Sequence, residues 1–178
     1  MFDTTFSHVS SFTLDPSTPD QAVTHLLHDF GAVIRFNPDC KSYQPASSAP
    51  KNLPIPSNSS IYDCEDSLTF LPKKLWDGGV WYVAVFTPTP DGCDIMIKAP
   101  GGFTSTNHWR LSTSRGDGVK VVEIISDAKC SKTFAGFVKK FLENNHQVQQ
   151  RAFKERLEQD LATSQGRPGM ARRRSSWG

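Results

Sequence analysis

Thr4 to Leu14 alternates strictly, with Phe6, His8, Ser10, Phe12 and Leu14 on one face and Thr5, Ser7, Val9, Ser11 and Thr13 on the other. That period predicts a half-buried strand. The period then changes. Thr18-Pro19-Asp20-Gln21 has the residues of a helix start: Thr18 to cap, Pro19 for the first helical position and Gln21 to complete a capping box. Val23, Leu26, Leu27 and Phe30 follow at helical spacing. Gly31 ends or bends this helix, and Asn37-Pro38 stops the apolar run of Val33, Ile34 and Phe36. Asp39 to Ser60 is rich in Pro and Ser, has no period and reads as a long loop.

Five short strands are predicted next: Ile61 to Leu71, Val80 to Thr87, Cys93 to Lys98, Phe103 to Leu111 and Val119 to Ser126. Turn residues at Asp77-Gly78-Gly79, Pro88 to Gly92 and Pro100-Gly101-Gly102 separate them, and such short connections imply antiparallel neighbours. An amphipathic helix closes the chain from Ser131 to Ala162. Phe134, Phe137, Val138, Phe141 and Leu142 make its thick apolar face, and Val148, Phe153, Leu157 and Leu161 extend it. Some 32 residues span roughly 48 Å, more than a small sheet covers. Its second half is therefore expected to project or to pack on a partner, as in a homodimer.

The order β-α-α, five strands, α predicts an α+β fold. A curved antiparallel sheet would wrap around the long C-terminal helix and enclose an internal apolar cavity. One domain over residues 1–162 accounts for the pattern, and residues 163–178, with Arg172, Arg173 and Arg174, read as a disordered basic tail.

Composition narrows the function. Twelve Phe favour an apolar pocket. The net charge of +2 is less than the tail alone supplies, which argues against nucleic acid as a partner. No apolar run reaches the ~20 residues that span a bilayer. Cys40, Cys64, Cys93 and Cys130 have no metal-like spacing, and with no basic region ahead of an apolar run at the N-terminus the expectation is a reduced, cytoplasmic protein. His25 and His28 stand three apart on a helix, but no further ligand completes a set. No metal and no cofactor are expected, and no GxSxG, phosphate-binding loop, dinucleotide fingerprint or HExxH motif occurs.

Strand parity selects the inward polar groups. The apolar faces carry His8 and Ser10 in the first strand, Tyr62 and Asp66 in the second, Ser105 and Asn107 beside Trp109, and Glu123 with Val119, Val121 and Ile125. A carboxyl in an apolar pocket titrates high and can move a proton near neutral pH. Asp66 and Glu123 are therefore the acid/base candidates. His8 joins them as a side-chain type that titrates near neutrality, and Tyr62 as a donor. Tyr82 and Asn107 are placed to hydrogen-bond a carbonyl. Trp109, Phe86, Phe137 and Phe141 are the expected apolar contacts of a substrate.

Six short stretches carry a resemblance: Leu26-Leu27-His28-Asp29, Ile34-Arg35-Phe36-Asn37-Pro38, Leu68-Thr69-Phe70-Leu71-Pro72, Gly78-Gly79-Val80-Trp81-Tyr82, Lys98-Ala99-Pro100-Gly101-Gly102 and Phe137-Val138-Lys139-Lys140. Over Thr4 to Arg151 the chain resembles an uncharacterised family from filamentous fungi. That family is similar to the START and polyketide-cyclase (SRPBCC) superfamily, whose fold is called a helix grip. The resemblance implies a deep cavity between sheet and last helix. The superfamily includes lipid carriers, hormone receptors and cofactor-free cyclases and isomerases, and no established catalytic set carries over to these residues. The leading expectation is a cofactor-independent cyclase or isomerase, Diels–Alder chemistry included. It would act on a hydrophobic polyketide- or terpene-derived intermediate of fungal secondary metabolism. A non-catalytic carrier of lipid or hydrophobic metabolite is the alternative.

Overall fold

The computed structural model describes residues 3–46, 48, 55–67, 79–114, 118–133 and 135–165. Seven strands form one antiparallel sheet: β1 Asp3–Leu14, β2 Cys40–Pro45, β3 Ser60–Ser67, β4 Gly79–Thr89, β5 Gly92–Lys98, β6 Thr104–Thr113 and β7 Lys120–Ser131. Their order is β1-β7-β6-β5-β4-β3-β2. Strands β2 to β7 thus run as a meander, and β1 returns to pair with the last of them. The sheet curves without closing. Helices α1 Asp20–His28, α2 Phe30–Arg35 and α3 Ala135–Gln165 pack on its inner face. This is the α+β helix grip that the element order predicts.

Local departures have local causes. Strand β2 lies inside the stretch expected to be a loop, because Tyr43 is its one large inward side chain and a single ring makes no period. Pro19, not Thr18, is the N-cap of α1, and no side chain caps it. The helix break falls at Asp29, whose Oδ1 accepts the Ala32 N–H at 3.1 Å, and Gly31 sits inside α2. The expected strand end and turn over 68–78, Phe134, and the basic tail from 166 onward lie outside the described residues.

The face assignment of β7 is corrected. Val122, Ile124 and Ser126 are the buried set, opposite Leu111, Trp109 and Asn107 of β6. Val119, Val121, Glu123 and Ile125 therefore fall on the outer parity. Both faces of this strand carry β-branched residues, so alternation alone has two solutions, and only the register against β6 decides. On β4, apolar on both sides, Tyr82, Ala84 and Phe86 point inward with the core.

The last helix is also used differently from the expectation. Its second half does not project: Phe153 and Leu157 are buried. Phe153 lies 5.7 Å from Phe12, 5.8 Å from Phe36 and 5.9 Å from Trp109, ring centre to ring centre. Together with Leu26 and Leu27 of α1 and Ile34 of α2, these rings fill one end of the grip with side chains. One stripe of the first half of α3 is open, with Phe137 52% and Val148 40% exposed.

The outer face is polar and half exposed. There Asp94 takes His108 Nδ1 at 2.7 Å and the Arg110 guanidinium. Burial works against the Asp94 charge, but these hydrogen bonds outweigh it and hold the carboxyl below its ordinary range. Trp81 is 52% exposed.

Candidate functional site

A groove of about 550 Å³ opens between the chain after α2 and the first half of α3. Pro38 and Asp39 form one bank, and Phe137, Phe141, Asn145 and Val148 the other. Phe137 and Phe141, two of the three phenylalanines expected to touch a substrate, therefore share one open surface. Spacing explains it: 137, 141 and 148 follow one helical stripe, while Leu142, His146, Phe153 and Leu157 follow the stripe that meets the sheet. The Asn145 Oδ1 is buried with no hydrogen-bond partner among the described residues. An orphaned acceptor of this kind costs about 1–3 kcal/mol unless something donates to it.

The Asp66 carboxylate is next to Asn37, whose chain continues into that bank. The Asn37 Nδ2 donates to Oδ2 at 2.6 Å and the Tyr82 hydroxyl donates to Oδ1 at 3.1 Å. Asp66 is only 8% exposed. Burial pushes its pKa up to about 6, against the pull of both hydrogen bonds and with a push from Asp39. Burial and the neighbouring Asp66 also raise the Tyr82 phenol, which stays protonated as a donor. The Cys64 thiol on the same face is raised to about 12 by burial and is inert packing.

A second polar cluster ties α3 to the sheet. His146, 2% exposed, is held by Ser126 Oγ at Nε2 (2.7 Å) and by Ser10 Oγ at Nδ1 (2.8 Å). Gln150 Nε2 donates to Ser10 Oγ at 2.8 Å, and Ser126 Oγ donates to Asn107 Oδ1 at 2.5 Å. The His8 ring stacks 4.8 Å from His146. Burial first and His8 second push His146 down to about 4, so it is neutral at physiological pH.

The sequence-selected residues thus divide. Asp66 and Tyr82 meet at one point, and His8 and Asn107 meet at another through Ser126 and His146. Tyr62 sits against Tyr43 and Phe86, away from both, with its phenol raised by burial. Trp109 and Phe86 belong to the packed end. Glu123 pairs across β7 with Ser11 and Arg110 on the outer parity and reaches neither cluster. His146 escaped selection, although it stands four residues after Leu142 and seven before Phe153 on the buried stripe. No group of three or more His, Cys, Asp or Glu among the described residues is arranged for a metal. His28 instead donates Nε2–H to the carbonyls of Thr89 and Gly92, at 3.0 and 2.9 Å. A shallow depression of about 340 Å³ near Thr5, Thr106 and Asp127 lies mostly on the outer face. No described helix is long and apolar enough to cross a membrane.

A family model described as a domain of unknown function (DUF7053) matches residues 3–159. No curated protein matches the sequence. Among solved structures, the chain is similar to the Zhui aromatase/cyclase from Streptomyces sp. R1128, with 10% identity, 90% of this chain and 96% of that one covered, and a TM-score of 0.58. It is similar to the di-domain aromatase/cyclase StfQ of the steffimycin biosynthetic pathway, with 12% identity, 89% and 52% covered, and a TM-score of 0.64. It is also similar to a START superfamily protein from Mycobacterium smegmatis, with 12% identity, 87% and 97% covered, and a TM-score of 0.54. At such identities the likeness is one of fold.

Proposed function

Because the chain belongs to the DUF7053 family, a domain of unknown function, and folds as a helix grip, we propose that it is a cofactor-independent cyclase or isomerase. Its substrate is a hydrophobic polyketide- or terpene-derived intermediate of cytoplasmic fungal secondary metabolism. One observation carries this reading: a buried carboxyl pushed up to about 6, with a protonated phenol on it, is hydrogen-bonded to Asn37, the residue before the Pro38–Asp39 bank of a partly apolar groove. A carboxyl of that pKa is mostly ionised at neutral pH, ready to take a proton, and lies close enough to neutrality to return it.

The chemistry balances without an added reagent. The Asp66 carboxylate removes a proton from a carbon between two carbonyls, and the electron pair moves to oxygen as an enolate. That carbon attacks a second carbonyl of the same chain, one carbon–carbon bond forms, and the proton on Asp66 passes to the new alkoxide. Phe137 and Phe141 hold the chain folded, which supplies the proximity term. The orphaned Asn145 Oδ1 takes a substrate hydroxyl or enol.

The test is turnover of a linear tri-β-carbonyl thioester, followed by mass spectrometry, with Asp66→Asn as control. Cyclised product in the wild type, lost in the variant, supports the assignment. Unchanged turnover in Asp66→Asn points to a pericyclic closure driven by shape alone. Binding without conversion makes the protein a carrier and overturns the enzyme reading.

A further inference from the structure

The hydrogen bonds around His146 have a determinable direction. Asn107 Oδ1 accepts from Ser126 Oγ at 2.5 Å and from Ser105 Oγ at 3.2 Å. Ser126 has one proton and has given it to Asn107, so at 2.7 Å from His146 Nε2 it can only accept. His146 is therefore the Nε2–H tautomer. Its Nδ1 then needs a donor, which is Ser10 Oγ–H, and Ser10 in turn accepts from Gln150 Nε2. The Ser10 and Ser126 hydroxyls each give once and take once, in one direction, from Gln150 of α3 to Asn107 of β6.

The chain ends on Asn107. Both acceptor positions of its Oδ1 are filled, and the described residues offer Nδ2 no acceptor. Ser105 and Ser126 are buried, but Asn107 is half-buried. Asn107 lies on the inner parity of β6, and its NH2 group is fixed in orientation with no acceptor among the described residues. Tyr82 stands two strands away on the same inner face, and the ladder offsets it by four residues. That separation is roughly 10 Å across the strands and 13 Å along them.

We infer that Asn107 presents its carboxamide N–H to a ligand carbonyl, and that His146, through Ser126, is the residue that holds it in that orientation. The site thereby selects an elongated, mostly apolar molecule with an oxygen acceptor at the end remote from Asp66. His146 acts as a positioning residue and touches no ligand. This deepens the proposed function and rests on a hydrophobic ligand entering the grip, but not on its being converted.

The test uses the full chain and two probes of equal length, undecane and 2-undecanone, with binding read by Trp fluorescence and calorimetry. The wild type is expected to bind the ketone about tenfold more tightly, the value of one hydrogen bond of ~1.4 kcal/mol. Asn107→Ala and Ser126→Ala are expected to bring the two affinities within twofold and leave that for undecane unchanged. His146→Gln, whose amide N–H stands near the Nε2–H position, keeps the preference, and His146→Leu loses it. Nitrogen-15 shifts of the His146 ring are expected to report Nε2–H. Equal binding of the two probes by the wild type overturns the inference, as does a ketone preference that survives Asn107→Ala, or an Nδ1–H tautomer. Asp66→Asn separates the two claims: it lowers turnover by about 10²–10⁴ if Asp66 is the base, and it leaves the ketone preference intact in either case.

Discussion

Tyr82 and Asp66 come from adjacent strands, and the phenol donates its proton to the Asp66 Oδ1 at 3.1 Å from a position where burial forbids the phenolate. The bond stabilises the carboxylate and so lowers a pKa that burial alone would carry further up. Tyr82→Phe removes it. The ionisation of Asp66 is expected to move above its present value of about 6, and the acid limb of the turnover profile moves with it toward alkaline pH. Asp66→Asn is expected to lower turnover by about 10²–10⁴ with little change in ligand affinity. A Tyr82→Phe profile that overlays the wild type would separate the phenol from the chemistry.

Asp66 and His146 pull acid stability in opposite directions. Burial lifts Asp66 from 3.8 to about 6, so between those values the folded chain holds a proton that the unfolded chain has released. Its contribution is full below the lower value and is lost as pH rises through the upper one. Burial and His8 depress His146 from 6.5 to about 4, so there the unfolded chain holds the extra proton. That contribution is full above the higher value and is lost as pH falls through the lower one. Each leg is worth up to about 3 kcal/mol, and over the shared window they nearly cancel. Wild-type denaturant midpoints are therefore expected to be almost flat from pH 4 to 6. The Asp66→Asn midpoint rises with pH over that window and the His146→Gln midpoint falls. Parallel profiles for all three proteins would refute the assignment.

The readable parts of this fold are those where one face is apolar and the other is not. In β3, Tyr62, Cys64 and Asp66 alternate with polar neighbours, so position alone places Asp66 inward. In β7 the pairs Val121/Val122 and Ile124/Ile125 satisfy both faces, and Glu123 was carried to the wrong one. His146 was hidden for another reason. It lies in the polar run Glu143 to Gln147, which reads as a solvated turn of helix until the neighbouring stripe is traced through it. That the second half of α3 packs while one stripe of the first stays open depends on long-range docking against Phe12 of β1 and Trp109 of β6, and no local period encodes that.

Two glycines give a sharp contrast. A Cβ on Gly92 would stand 1.9 Å from the backbone oxygen of Trp109, which cannot retreat without breaking the β5–β6 ladder. Gly92→Ala is expected to cost more than about 2 kcal/mol. Gly136, in the first turn of α3, has open space around the same position. Gly136→Ala is expected to stabilise by about 0.4–1 kcal/mol, because the unfolded chain loses freedom and nothing folded is disturbed. Thermal or urea melts of the two variants check both signs.

The halves of α3 are expected to respond oppositely to truncation. Phe153 touches Phe12, Phe36 and Trp109 inside the filled end of the grip. Phe153→Ala removes those contacts and leaves a cavity, at a cost of about 3–5 kcal/mol. Phe137 is more than half exposed on the groove, so its ring adds little to the folding of the isolated chain. Phe137→Ala is expected to leave the urea midpoint within about 0.5 kcal/mol of wild type. It should nevertheless weaken binding of a long-chain ketone roughly tenfold, since burying a ring's worth of apolar surface is worth at least ~1.5 kcal/mol. The control is a surface change of similar size on the far side of the sheet, Trp81→Ala, which should leave ligand affinity unmoved. If Phe137→Ala destabilises the free protein as Phe153→Ala does, the stripe that carries Phe137 is part of the core and the groove is not where the ligand enters.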